Sequence, residues 1–179
     1  RPTLAQPAQL NLGTSMAALR SITAVAGLKP LIKWPNDILI NGRKVSGILI
    51  ENIFEGAHLE AAIVGIGINV NFDPASFPEI ATIATSLSIE AGRVVSAQEL
   101  TTRLLKESDD LYGELRQAGT IYDAWIPFVE TLGKWVRVRS GDNVVEGRAE
   151  SIDARGRLIL RRSDGSTLTL DAGEVTLQI

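Results

Sequence analysis

The sequence contains no cysteine, one histidine and one methionine among its 179 residues. The absence of cysteine excludes disulfide bonds and thiolate metal sites, and it is typical of proteins that function in a reducing cytoplasm. The one histidine, His58, follows a polar turn that contains no nucleophile, so we expect no Ser-His-Asp triad. A formal charge of −3 gives no electrostatic reason to expect binding to nucleic acid or to a membrane surface.

Long apolar segments are also missing from this chain. The stretch from Ala61 to Val70 is about half the length of a membrane span and is broken by glycines. The chain opens with Arg1 and Pro2, without an initiator methionine or the apolar region of a signal peptide. We therefore expect a fragment of a cytoplasmic protein, with the 45% hydrophobic and 22% charged residues of an ordinary globular fold.

The first seventy residues predict one helix followed by strands. Apolar residues at helical spacing predict a helix over 14–27, with Asn11 or Thr14 as its cap and Gly27 at its end. Strands, mostly with antiparallel neighbours, are predicted at 31–34, 38–41, 43–53 and 59–70. Asn41-Gly42 predicts a tight hairpin turn, because both residues tolerate the positive φ of type I′.

The rest of the chain predicts helices and then a β-rich unit. A loop over 71–78 precedes a short helix near 82–91, and a capping box from Ser96 to Glu99 opens a helix that ends near Ala118. A shorter helix is predicted over 120–130. Five short apolar runs separated by turn residues then predict a small barrel or sandwich, with a domain boundary near residue 132. The runs lie at 135–139, 144–152, 157–161, 166–170 and 175–179.

Several polar residues lie close to the predicted hairpin, although a hairpin turn does not require them there. The motif Lys33-Trp34-Pro35-Asn36-Asp37-Ile38 precedes the turn, and Lys44 follows it directly. Taken alone, Lys44 is expected to be a solvated surface residue, and Asn36 and Asp37 are as well suited to closing a turn as to binding a ligand. Glycines inside a strand mark either a weak strand or the close approach of a ligand.

Three blocks of this sequence resemble the biotin protein ligase family. The family motif KWPNDI matches Lys33 to Ile38, K-x-x-G-I-L-x-E matches Lys44 to Glu51, and G-I-G-I-N-V-N matches Gly65 to Asn71. The resemblance implies an α+β fold, with part of a class II synthetase-like catalytic domain of mixed sheet in 1–131. It also implies an SH3-like barrel in 132–179.

The activity implied by the resemblance is that of an ATP-dependent ligase. Such an enzyme forms biotinyl-5′-AMP from biotin and ATP, and then transfers biotin to a lysine of a carboxylase carrier domain. Mg²⁺ would accompany the polyphosphate, with Asp37 assisting through water, and no metal-ligand set is assigned to the chain. Trp34 is expected to pack in the core.

The resemblance also implies roles for single residues. Lys44 would be catalytic, since its ammonium would lie against the biotin carboxylate and the α-phosphate and reduce the repulsion between the two anions. The residues implied in biotin binding are Lys44, Gly47, Gly65 and Gly67. The residues implied on the ATP side are Lys33, Asn36, Asp37 and Asn69.

The sequence departs from the family at its beginning. The glycine- and arginine-rich loop (G-R-G-R-x-G-R) and the T-S-T-N-like segment are absent, so we expect this chain to be inactive alone and to expose sheet edges. The partners implied are a biotin carboxyl carrier domain and a second copy of the chain. Two alternatives stay open: a lipoate–protein ligase-like acyltransferase and a non-catalytic carrier-binding module. Trp34 in its motif and the β-rich tail favour biotin.

Overall fold

The fold was analysed in a computed structural model, which describes residues 7–56, 58–118 and 120–177. Helix α1 spans Pro7–Ala26 and packs on helix α3, which spans Ala97–Ala118. One face of α1 is buried through Leu12, Met16, Leu19 and Ile22. No helix in the described ranges is long and apolar enough to cross a membrane.

The helix predicted to start at residue 14 already covers residues from Pro7 onward, so that prediction was wrong at this end. The expected cap, Asn11, lies inside α1, and its side-chain amide donates to the carbonyl of Pro35 at 2.8 Å. Packing against α3 explains the extension: a Cβ on Gly13 would lie 2.9 Å from Cδ1 of Leu115, so the two helices approach closely there. Tertiary contact thus overrides the local start signal.

The first sheet has four strands in the order β1-β2-β3-β4. The strands are β1 (Leu31–Lys33), β2 (Asp37–Ile40), β3 (Arg43–Glu55) and β4 (His58–Ile68). The predicted turn is confirmed, since Asn41 and Gly42 have φ values of 51° and 76°. In the part of the chain that the structure describes, the named strands pair only in antiparallel fashion. Parallel pairing there is limited to isolated bridges, so the mixed sheet that was expected is not found in these residues.

The long helix α3 and shorter helical segments connect the first sheet to the β-rich unit. Helix α2 covers only Leu87–Ala91, because turns occupy most of the preceding stretch and Ser86 caps the helix. The capping box is confirmed on one side, where the N–H of Glu99 donates to Oγ of Ser96 at 3.2 Å. The helix predicted over 120–130 is shorter: α4 covers Tyr122–Trp125, and a 3-10 turn over Ile126–Phe128 contains Pro127, which cannot continue a helix.

The β-rich unit is an antiparallel sheet of five strands in the order β8-β7-β6-β5-β9. The strands are β5 (Trp135–Ser140), β6 (Asn143–Ile152), β7 (Leu158–Arg161), β8 (Thr167–Leu170) and β9 (Glu174–Leu177). Alternate residues such as Val136, Val138 and Leu160 are fully buried. The run predicted at 175–179 extends into residues 178 and 179, which lie outside the described ranges. The α+β class is confirmed.

The turn between β6 and β7 packs against the helices and the first sheet. The indole Nε1 of Trp34 donates to the carbonyl of Gly156 at 2.8 Å, and the side-chain amide of Gln9 donates to the carbonyl of Ala154 at 2.8 Å. The hydroxyl of Tyr122 also donates to the carbonyl of Ile152. Trp34 is 1% exposed, so its expected place in the core is confirmed.

Candidate active site

Lys44 lies at the start of β3, and both of its backbone polar groups are bonded to the segment before α2. Its N–H donates to the carbonyl of Ile83 at 2.8 Å, and its carbonyl accepts from the N–H of Thr85 at 2.8 Å. The side chain is 46% exposed and lines an open cleft. The lysine selected from the sequence therefore faces a cavity rather than open solvent.

Asp37 connects the two lysines of the predicted site. Its Oδ1 lies 2.5 Å from Nζ of Lys44, and its Oδ2 lies 3.2 Å from Nζ of Lys33. The antiparallel register places Asp37 opposite Lys33 on β1 and opposite Gly47 on β3. The carboxylate side chain is only 14% exposed, so little water can solvate its charge. The two ammonium groups stabilise that charge instead.

Gly47 provides the space in which the ion pair of Lys44 and Asp37 lies. A Cβ at Gly47 would be 3.1 Å from Nζ of Lys44 and 3.7 Å from Oδ1 of Asp37. The register between β2 and β3 shifts by one residue nearby, so Lys44 and Gly47 share the face that borders the cleft. The space left by the missing side chain of Gly47 is therefore taken up by the Lys44 side chain. A ligand in the cleft would lie beside that lysine.

Gly65 and Gly67 border the same cleft but have no such neighbour. A Cβ at Gly65 would be 3.7 Å from the carbonyl oxygen of Leu49, and one at Gly67 would be 3.9 Å from that of Gly47. These are ordinary contact distances, so the packing of the sheet does not require glycine at either position. The missing side chains instead leave the strand surface open to whatever fills the cleft.

The two asparagines of the predicted ATP side lie in different environments. Asn36 borders the cleft, and its side-chain amide donates to the carbonyl of Ile48 at 2.6 Å. Asn69 is not among the cleft-lining residues, and its amide donates to the carbonyl of Thr85 at 3.0 Å. The Asn36 amide thus holds β3 at Ile48, and the Asn69 amide holds the Thr85 segment that bonds Lys44. The assignment of both residues to the nucleotide stays a prediction.

The cleft has a volume of about 1600 Å³ and is bordered by both parts of the chain. Its charged lining is balanced, with three lysines and three carboxylates. These residues are Lys33, Lys44, Lys134, Asp37, Glu130 and Glu174. A polyanion that enters the cleft would therefore add negative charge, and all three lysine ammonium groups are placed to bind it.

Sequence analysis missed Lys134 and Glu130, which pair at 2.6 Å where the two parts of the chain meet. They reach the cleft because residues 129–131 run beside β1: the N–H of Glu130 donates to the carbonyl of Ile32 at 2.8 Å, and Thr131 accepts from the N–H of Trp34. The only signal in the sequence was the series of turn-separated apolar runs that follows residue 132, and it indicated a domain boundary rather than a cleft.

The donor set of the cleft restricts how a metal ion could bind. The described residues contain no group of three or more His, Cys, Asp or Glu side chains suited to a metal ion. Both oxygens of Asp37 already contact lysines. Mg²⁺ commonly binds through one or two carboxylates together with substrate phosphates. The cleft fits an ion that arrives with a polyphosphate and does not fit one held by protein ligands alone.

Two family models match the chain. The model "Biotin/lipoate A/B protein ligase family" matches residues 6–69, and "Biotin protein ligase C terminal domain" matches residues 131–177. A biotin–[acetyl-CoA-carboxylase] ligase of Paracoccus denitrificans is 33% identical over 94% of this chain and 72% of that protein. The bifunctional ligase/repressor BirA of Bacillus subtilis is 38% identical over 88% of this chain and 49% of its own length. The chain thus spans about half the length of the Bacillus relatives that it matches.

Solved structures agree with these matches. The biotin protein ligase of Aquifex aeolicus in complex with biotin and ATP has a TM-score of 0.80 and 25% identity, covering 97% of this chain and 72% of that protein. A biotin protein ligase-like protein of unknown function from Silicibacter shares the fold, with a TM-score of 0.77 at 15% identity. With the motifs on β1–β4, the Lys44 cleft and the Paracoccus relative in agreement, this chain belongs to the biotin protein ligase family.

Proposed function

We propose that the protein to which this chain belongs is a biotin–protein ligase. In the first step an oxygen of the biotin carboxylate attacks the α-phosphorus of ATP, and the bond to the bridging oxygen breaks with release of pyrophosphate. In the second step the amine of a carrier lysine attacks the acyl carbon of biotinyl-5′-AMP. AMP leaves, the nitrogen loses a proton and an amide remains.

One observation carries the proposal: the Lys44 ammonium lies beside a cleft whose neighbouring strand surface is bare at Gly65 and Gly67. The first step brings two anions together, and charge increases at the phosphoryl oxygens during displacement. A fixed ammonium reduces that repulsion most when little solvent screens it. Asp37 fixes the amine, with Nζ of Lys44 at 2.5 Å from its Oδ1, before any substrate binds.

The remaining residues divide between the two substrates. Gly47, Gly65 and Gly67 form the wall for biotin. The nucleotide side takes Lys33, Asn36, Asp37 and Asn69. Bound Mg²⁺ would supply additional positive charge to the polyphosphate, with the carboxylate of Asp37 as its neighbour in this chain.

The proposed domains are 1–131, the catalytic portion, and 132–179, an SH3-like unit. The second unit contributes Lys134 and the segment from Gly173 to Leu177 to the cleft lining. We assign it the task of positioning ATP or the carrier, because it contributes charge and shape to the cleft without a reactive constellation of its own.

The partners proposed are a carboxylase carrier domain and a second copy of the chain in the cytoplasm. Strand β4 forms one edge of the first sheet and exposes Ile63 and Val64, at 56% and 41%. Such an edge can pair with an identical strand. Sedimentation equilibrium of the natural protein and of Val64→Lys would test the second copy, with dimer expected only in the former.

Adenylate formation by the natural full-length protein tests the proposed function. ATP labelled at the α-phosphate is supplied with biotin, lipoate or octanoate, and the labelled acyl-AMP is measured. We expect adenylate with biotin alone. Adenylate with lipoate or octanoate alone would support the acyltransferase alternative.

Calorimetric titration tests the third possibility. We expect heat of binding when biotin is added to the full-length protein. Heat with a carrier domain and none with biotin would support a non-catalytic carrier-binding module.

A further inference from the structure

The buried carboxylate of Glu90, on α2, accepts hydrogen bonds from three side chains. Its Oε1 accepts from the hydroxyl of Thr85 at 2.6 Å and from Nη2 of Arg43 at 2.6 Å. Its Oε2 accepts from the side-chain amide of Asn41 at 2.7 Å. The carboxylate side chain is 5% exposed. Neither the sequence motifs nor the cleft lining includes this residue.

The partners of Glu90 lie on both sides of Lys44. Asn41 belongs to the turn that leads into β3, and Arg43 is the first residue of β3, directly before the lysine. Thr85 is on the opposite segment, where its N–H donates to the carbonyl of Lys44 at 2.8 Å. A single carboxylate therefore ties together the two pieces of backbone that hold Lys44.

The carboxylate of Glu90 is held in its charged form. Burial alone would raise its pKa, but hydrogen bonds from Thr85 and Asn41 and the charge of Arg43 outweigh burial and lower the pKa below the ordinary value of 4.5. An ionised carboxylate accepts stronger hydrogen bonds than a neutral one. The hydrogen bonds by which Glu90 joins the turn to the Thr85 segment are therefore strong ones.

We propose that Glu90 is a positioning residue for Lys44, and this inference rests on the proposed function. Without the carboxylate, Arg43 and Asn41 lose their anchor to α2, and the backbone of Lys44 can shift relative to Asp37 and the cleft. A displacement of about 1 Å at a charge-stabilising group can cost on the order of 100-fold in rate. Glu90 itself does not line the cleft.

A double-mutant cycle in the natural full-length protein tests this inference. The variants are Glu90→Gln, Lys44→Ala and the two combined, and the rate of biotin-dependent adenylate formation is measured at saturating biotin and ATP. We expect a loss of about tenfold for Glu90→Gln alone and no further loss when it is added to Lys44→Ala, because residues that act through one another are not additive. Independent losses that multiply would overturn the inference.

Glu107→Gln is the matched control. Glu107 is also a buried carboxylate with arginine partners, Arg103 at 2.5 Å and Arg20 at 3.8 Å, but it lies on α3 and does not border the cleft. We expect Glu107→Gln to retain the adenylation rate. A rate loss equal to that of Glu90→Gln would reduce Glu90 to a general stabilising residue and overturn the inference.

Amide hydrogen exchange supplies a readout that is independent of activity. The N–H groups of Lys44 and Thr85 are expected to exchange about tenfold faster in Glu90→Gln and at the natural rate in Glu107→Gln. Unchanged protection in Glu90→Gln would overturn the inference. If Glu90→Gln fails to fold, Arg43→Met removes one arm of the cluster and enters the same cycle.

The two proposals fail in different ways. Full adenylation activity in Lys44→Ala would contradict the proposed role of the lysine. If Lys44→Ala loses adenylation activity as expected and Glu90→Gln keeps full activity, only the positioning role of Glu90 is contradicted.

Discussion

The carboxylate of Asp37 lies 2.5 Å from the ammonium of Lys44, on the side of the first sheet that borders the cleft. Asp37 is the next-to-last residue of one motif and Lys44 begins the next, and the hairpin between β2 and β3 brings them together. The pair holds the amine in place before a substrate arrives, as the electrostatic role proposed for Lys44 requires.

Replacing Asp37 should release that amine. Asp37→Asn keeps the shape but removes the charge that faces two lysines, so we expect adenylate formation to fall by about tenfold or more, equivalent to ~1.4 kcal/mol in the barrier. The unfolding free energy should fall by only about 1 kcal/mol, since the lysine partners are partly exposed.

The matched control is Asp110→Asn, because Asp110 also lies 2.5 Å from a lysine amine, that of Lys106, but on the exposed surface of α3. It should keep the full rate. Adenylation that is equally reduced in both variants, or in neither, would contradict the role of Asp37.

A side chain at Gly65 should block the cleft without harming the fold. Its Cβ would meet only ordinary contacts, and valine suits a strand, so Gly65→Val should raise the unfolding free energy by about 0.5–1 kcal/mol. Biotin binding, measured by titration calorimetry, should weaken by about 100-fold, or ~3 kcal/mol. Ala61→Val adds bulk to the same strand outside the cleft lining and should bind biotin normally. Normal binding in Gly65→Val would show that biotin lies elsewhere.

The indole of Trp34 should contribute to the attachment of the β-rich unit. Trp34→Phe removes the donor to the Gly156 carbonyl and leaves that carbonyl short of a partner, so we expect a loss of about 1–3 kcal/mol in unfolding free energy. Denaturant titration followed by circular dichroism measures this loss. Trp135→Phe is the control, since Trp135 is 40% exposed and should change stability by less than about 0.5 kcal/mol. Equal losses in the two variants would contradict the role of the hydrogen bond.

Glu90 should make stability depend on acid pH. Its pKa is lowered in the folded state, so the unfolded chain binds the proton more readily, and the stabilisation is complete above the ordinary value of 4.5. As the pH falls from there through the lower folded pKa, this contribution is lost. The difference in unfolding free energy between the natural protein and Glu90→Gln should shrink over that range. If the difference in unfolding free energy between the two proteins does not change with pH, the lowered pKa of Glu90 is contradicted.

Local signals in the sequence predicted the turns and most strands well, because those features depend on neighbouring residues. The turn at Asn41 and Gly42 needs positive φ, and the cap at Ser96 needs only the first turn of its own helix. The start of α1 was predicted wrongly because its contact with Leu115 on α3 decides it. No local pattern contains that information.

The residues that border the cleft were predicted in the same uneven way. Lys44, Asp37 and the glycines lie on consecutive strands, so the motifs identified them together. Lys134 and Glu90 were missed because both depend on long-range contacts. The backbone bond between Glu130 and Ile32 brings Lys134 to the cleft, and Glu90 is linked to Lys44 through Arg43, 47 residues away in the sequence. The register shift beside Lys44, which turns its side chain to the cleft, also has no signal in residue type.

The most direct test of the central claim is adenylate formation by Lys44→Ala in the natural full-length protein, with Lys106→Ala as control. We expect the mutant rate to fall by about 100-fold or more, or ~2.7 kcal/mol in the barrier, while the unfolding free energy changes by less than about 1 kcal/mol. A Lys44→Ala protein that forms biotinyl-5′-AMP at the natural rate would contradict the account.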